Sequence, residues 1–229
     1  MIFFAGKEFL ITFVFWYFKP ITDMRQIVKT MMMVLLMCSV AYSVQAQDAR
    51  KAIREHYAAV KEQLKMYDEL KETGDIYPVP QMYSVVVKQN LPATGYHEET
   101  IQMVYREETK SDEQIYADLY LDFATKKYNF AAREFYEEYL YDKQGRVQFI
   151  YALESDFGDV FQREYRFYFS QGKLIDVNVK SRATDSEPFK DVYSGNSVPE
   201  EYRSYYQRRM SSAKSVMTIF KTIDASREL

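Results

Sequence analysis

Between Met82 and Lys180 apolar and polar side chains alternate with period two, and this rhythm limits what the chain can fold into. Residues two apart share a face only in an extended strand, so the stretch is read as β structure. In Ile115–Phe123, for instance, Ile115, Ala117, Leu119, Leu121 and Phe123 alternate with Tyr116, Asp118, Tyr120 and Asp122. Tyr83–Gln89, Thr100–Arg106, Phe130–Tyr141, Arg146–Glu154, Val160–Ser170 and Leu174–Lys180 bring the set to about seven strands, rich in β-branched and aromatic residues. The connections Asp142–Gly145 and Gln171–Lys173 are far shorter than the dozen or so residues of a parallel crossover, so neighbours pair antiparallel. Glycine in these turns supplies a positive φ. Val147, Phe149, Tyr151 and Leu153 oppose Arg146, Gln148 and Glu154, the pattern of a sheet wet on one side.

Helical signals flank this block. Ile53, Tyr57, Val60, Leu64 and Tyr67 recur at steps of three and four, giving Asp48–Leu70 one apolar face. Lys51, Arg54, Glu55, Lys61, Glu62 and Lys65 fill the other, with Asp48 as candidate N-cap and Gly74 as stop. Lys180–Asn196 is polar and expected to be loop. Ser197-Val-Pro-Glu200 matches a capping box, and Tyr202, Tyr206, Met210, Ala213, Met217 and Phe220 form a stripe on the helix after it. The expected class is α+β: an N-terminal helix, an antiparallel β-meander and a C-terminal helix. A curved, one-sided sheet should carry both helices on its apolar face.

The residues before Asp48 differ in character. Arg25 and Lys29 precede an apolar stretch from Met31 to Val44, and Val44-Gln45-Ala46 places small or β-branched residues where a signal peptidase reads. That order describes a secretory signal peptide over residues 24–46, whose apolar core is shorter than the ~20 residues of a membrane span. The Ala46-Gln47 junction resembles the cut sites of many exported Gram-negative proteins. The resemblance covers the leader alone and implies a periplasmic or secreted mature domain, residues 47–229, with no integral membrane span. Residues 1–23, with the apolar run Phe9–Phe18, read as an over-extended N-terminus before a true start at Met24. Cys38, the one cysteine, follows Met37 rather than a small residue, which argues against lipid attachment. The mature domain then has no disulfide, and a core of its size does not need one.

The net charge is −3, and the leader removes more basic than acidic residues, so a nucleic-acid partner is not expected. No Gly-x-Ser-x-Gly elbow, phosphate loop or dinucleotide fingerprint is present, and no cofactor is expected. His56 lies off the helical stripe and His97 in a loop beside Glu98 and Glu99, so both read as solvated, with no metal site. Glu134, Glu137 and Glu138 read as a solvated strand face, and Glu154, Asp156 and Asp159 as a polar turn. The chain holds 21 tyrosines, whose amphipathic rings suit recognition surfaces. Tyr116, Tyr120 and Tyr136 are expected to face outward as a binding patch. The reading is an exported, non-enzymatic binding module for a protein or glycan partner. One alternative is a carrier enclosing an apolar ligand between sheet and helices. Another is a hydrolase using paired carboxylates.

Overall fold

A computed structural model describes residues 24–73, 81–111, 114, 117–131, 133–155, 161–184 and 186–228. The chain forms two compact units, Met1–Gln47 and Asp48–Leu229. Helix α1 (Met24–Thr73) starts in the first, where Val28, Met31, Met32 and Met33 are exposed. Among the described residues no helix is long and apolar enough to cross a membrane.

The second unit is built on one open, eight-stranded antiparallel meander. Its strands are β1 (Met82–Leu91), β2 (Gly95–Glu108), β3 (Asp118–Phe130), β4 (Arg133–Tyr141), β5 (Val147–Ser155), β6 (Gln162–Ser170), β7 (Lys173–Arg182) and β8 (Lys190–Gly195). Each pairs with the next in sequence. Helix α2 (Glu200–Ala225) and a 3-10 turn (Ser226–Glu228) follow. The α+β class and the order helix, meander, helix agree with the alternation of the sequence. Gly145 and Gly172 take φ of 76° and 77°, as their turns require.

Two strand assignments differ from the sequence reading. β3 continues to Phe130 and turns back at Arg133, so one long hairpin replaces a break at Phe123. Ala124-Thr-Lys-Lys interrupts the apolar rhythm, and the turn carries Ala131 rather than glycine at φ 54°. The eighth strand lies in the expected loop. It is an edge strand with mostly exposed positions, where polar residues are at home.

The two helices lie on opposite faces, which corrects the one-sided sheet. Adjacent strand residues point to opposite sides. Tyr139, Ile150 and Phe167 pack with Ala213, Val216 and Phe220 of α2. Leu140, Phe149 and Tyr168 pack instead with Ile53 and Val60 of α1. The second face is not wet either, because polar residues on it are partners of α1. Arg50 reaches Asp176 at 3.0 Å and Lys61 reaches Glu138 at 2.6 Å, while the Tyr57 hydroxyl also donates to Glu138. Carboxylates can be buried on that face because each meets a cation or a hydroxyl.

Helix α2 starts later than the capping box implied. Pro199 occupies the N-cap without a side-chain cap bond, and the Ser197 carbonyl accepts the Tyr193 hydroxyl at 2.8 Å. Its buried residues are Tyr202, Arg209, Ala213, Val216 and Phe220. The expected stripe is therefore present, but with an arginine set into it.

Candidate functional site: a charged cleft beneath the C-terminal helix

On the face covered by α2 the strands change character along their length. Ile101, Met103, Ala124, Tyr139, Ile150 and Ala152 form buried core. Toward the β3–β4 turn, the same alternating positions become His97, Glu99, Lys126, Tyr128, Glu137 and Glu154. Helix α2 changes in parallel: Ala213, Val216 and Phe220 close the core, whereas Tyr205, Arg208, Arg209 and Ser212 face the polar end. The result is a cleft of about 610 Å³, within the roughly 300–1,000 Å³ of small-molecule sites.

A buried ion pair between Glu137 and Arg209 forms one wall of the cleft. The Tyr128 hydroxyl donates to Glu137 Oε1 at 2.9 Å and accepts from Arg209 Nη1 at 2.9 Å. Ser212 Oγ donates to Glu137 Oε2 at 3.0 Å, and the Tyr139 hydroxyl donates to the same oxygen. Both oxygens of Glu137 are thus occupied by donors, the condition under which a buried charge pair is tolerable. Burial, reinforced by the Glu137 charge, pushes the Tyr128 phenol up to about 12, so it remains a donor at neutral pH. Arg209 Nε is buried and has no acceptor among the described residues.

The rest of the lining is mostly cationic and aromatic. Lys126 pairs with Glu99 at 3.0 Å and lies 5.1 Å over the Tyr128 ring, which stacks on Phe135 at 4.9 Å. Arg208 makes no ion pair among the described residues; its guanidinium lies 4.7 Å over the Tyr205 ring. Burial raises the Glu154 carboxyl above the usual carboxylate range, although Arg209, Arg208, Arg163 and Arg133 pull it down. Phe130, beside the turn, is 52 % exposed. His97 Nδ1 lies 2.6 Å from the Asn129 carbonyl oxygen.

Several sequence-based expectations change here. Glu137 and Glu138 are buried, on opposite faces, and do not form a solvated strand face. Neither histidine is simply solvated: His97 lines the cleft, and His56 Nε2 lies 2.8 Å from Asp122 Oδ1. Tyr116, Asp156 and Asp159 lie outside the described residues. Tyr120 is half-buried with the Lys143 ammonium 5.4 Å from its ring centroid. Tyr136 is half-buried and donates to Glu138 Oε1 at 2.6 Å. Burial and the Glu138 charge raise its phenol pKa. Tyr136 pairs with Lys127, well along β3 from Tyr120, a separation of roughly 20 Å at the rise of a strand. The two rings are not brought together.

The cleft residues were missed because the β3–β4 hairpin was not read as one. The period-two series Lys126, Tyr128, Phe130 was the available signal. Among the described residues no group of three or more His, Cys, Asp or Glu is placed to hold a metal ion. Comparisons with protein families, curated proteins and solved structures find no match to this chain.

Proposed function

We propose that the protein is an exported, non-catalytic binding module that takes its ligand in the cleft beneath α2. The observation that carries this reading is the Glu137–Arg209–Tyr128–Ser212 network. It fixes one wall in place and commits the buried Glu137 carboxylate to structure. Pre-organised polar groups around a cleft are what a binding site requires. The charged lining supports a polar ligand over the apolar cargo of a carrier. Export rests on the leader-like order of residues 24–46 and is supported by the division of the chain after Gln47.

A second reading is favoured by one observation. A carboxyl with a raised pKa inside a cleft, as at Glu154, suits a general acid. Glycoside hydrolysis would need a second available carboxylate. Glu137 is held by four donors and Glu99 by Lys126, so binding remains the stronger reading.

The test is a resonance-by-resonance titration of the isotope-labelled full chain with panels of glycans and peptides. Ligand-induced shifts should cluster at Phe130, Tyr205 and Arg208. Shifts confined to Tyr120 or to Tyr136 would move the site out of the cleft. Turnover abolished by Glu154→Gln would replace the binding reading with the hydrolytic one.

A further inference from the structure

The chemistry of the cleft is specific enough to name a ligand class, given the reading above that this cleft is the binding site. Two of the three described acids that line the cleft are already held by its cations. Glu137 is held by Arg209, and Glu99 by Lys126. Arg208 has an aromatic platform and makes no ion pair among the described residues. Arg209, which lines the cleft, retains a buried Nε–H without an acceptor among the described residues. Unsatisfied guanidinium donors in a desolvated setting are costly, and an oxyanion answers them bidentately.

Charge alone would admit any small anion. The volume and the aromatic edge narrow the choice. A single carboxylate or phosphate would occupy a small part of 610 Å³. Phe130 offers an exposed ring in a lining that also holds the polar groups contributed by α2. A sugar ring has an apolar face for such a ring and hydroxyls for the polar groups. We propose that the cleft binds an acidic saccharide, its anionic group held by Arg208 and Arg209 and one sugar face resting on Phe130.

Burial of Glu154 supports the assignment, because a carboxyl with a raised pKa opposes an incoming anion less than an ordinary one would.

The experiment compares glucuronic acid and N-acetylneuraminic acid with glucose and N-acetylglucosamine, each titrated against the full chain by calorimetry and by resonance shifts. The acidic probes should bind at least about tenfold more tightly, a difference of about 1.4 kcal/mol. Arg208→Gln, at an exposed position, should weaken the acidic probes at least about tenfold and erase that preference. Phe130→Ser should weaken both kinds of probe together. Neutral sugars that bind as tightly as acidic ones, with shifts at the cleft, overturn the acidic class but keep the cleft as the site. A preference that survives Arg208→Gln overturns the assigned anchor. If no saccharide shifts cleft residues, the proposal fails; the binding reading fails as well only if the wider glycan and peptide panels also leave the cleft unmoved.

Discussion

Ala131 holds a left-handed conformation, φ 54°, in the two-residue turn between β3 and β4, beside the cleft. An L side chain there costs about 1–2 kcal/mol. Glycine removes that cost but adds freedom to the unfolded chain. Ala131→Gly is therefore expected to raise stability by about 0.5–1 kcal/mol, read as a higher urea midpoint at unchanged slope. A lower midpoint would mean that the methyl group packs well enough to outweigh the strain. Ser197 gives the opposite kind of case. The sequence cast it as an N-cap, but Pro199 holds that position and the Ser197 side chain makes no cap bond. Ser197→Ala should fall within about 0.5 kcal/mol of the parent. Phe167, in the middle of β6, is fully buried; Phe167→Ala should cost about 3–5 kcal/mol. A Ser197→Ala loss of a full cap, about 1 kcal/mol, would show that α2 begins earlier in solution.

Two β-bulges determine how α1 is held against the sheet. Val104 pairs with Phe123 but Tyr105 with Leu121, leaving Asp122 as an extra residue; Gln148 is extra in the same way in β5. Both side chains bond His56 of α1, and Arg106 Nε lies 2.5 Å from Asp122. A bulge re-aims a side chain, and here two bulges aim at one imidazole. The hydrogen bond to Asp122, with its charge and Gln148 assisting, raises the His56 pKa above 6.5 against burial and Arg106. Burial would raise Asp122, but His56 and Arg106 overcome it and leave it below 3.8. The folded state thus favours protonated His56. Its contribution is complete below the ordinary histidine value and is lost as pH rises through the raised folded value. Asp122 contributes above the ordinary aspartate value and stops contributing as pH falls through its lowered one. Stability should decline as pH rises from the ordinary histidine value through the raised folded one, and His56→Gln should flatten that decline. Parallel curves for parent and variant would show that another group titrates. On the opposite face, Arg209 joins α2 to β4 through Glu137. Arg209→Met leaves a buried carboxylate without its cation and should cost about 3–5 kcal/mol. Adding Glu137→Gln should recover part of that loss. A double variant no more stable than the single would argue that Tyr128, Tyr139 and Ser212 suffice to hold the charge.

At the scale of the molecule, what the sequence made legible was periodicity, and what it hid was pairing. Alternation located the meander and its antiparallel order. Helical spacing located Ile53, Val60, Ala213 and Phe220 on packed faces. It could not say that Glu137 and Glu138 would meet Arg209 and Lys61, because residues so distant in sequence meet only through the fold. The cleft was hidden for the same reason, since its walls come from four strands and a helix. The proposed leader raises the remaining whole-molecule question. α1 continues across the boundary between Gln47 and Asp48, yet its ion pairs and ring contacts with the sheet come from Arg50, Arg54, His56, Tyr57 and Lys61. A cut after Ala46 would spare all of them and leave Asp48 in the new first turn, where a carboxylate complements the helix dipole. The exported protein should therefore have an intact mass that begins at Gln47, cyclised or not. Its unfolding free energy from urea titration should lie within about 0.5 kcal/mol of that of the full chain, since no packed side chain of the sheet is lost. A mature form that retains Trp16 or carries lipid on Cys38 would defeat the leader reading. A correct mass with a loss of several kcal/mol would instead show that residues before Gln47 support the fold.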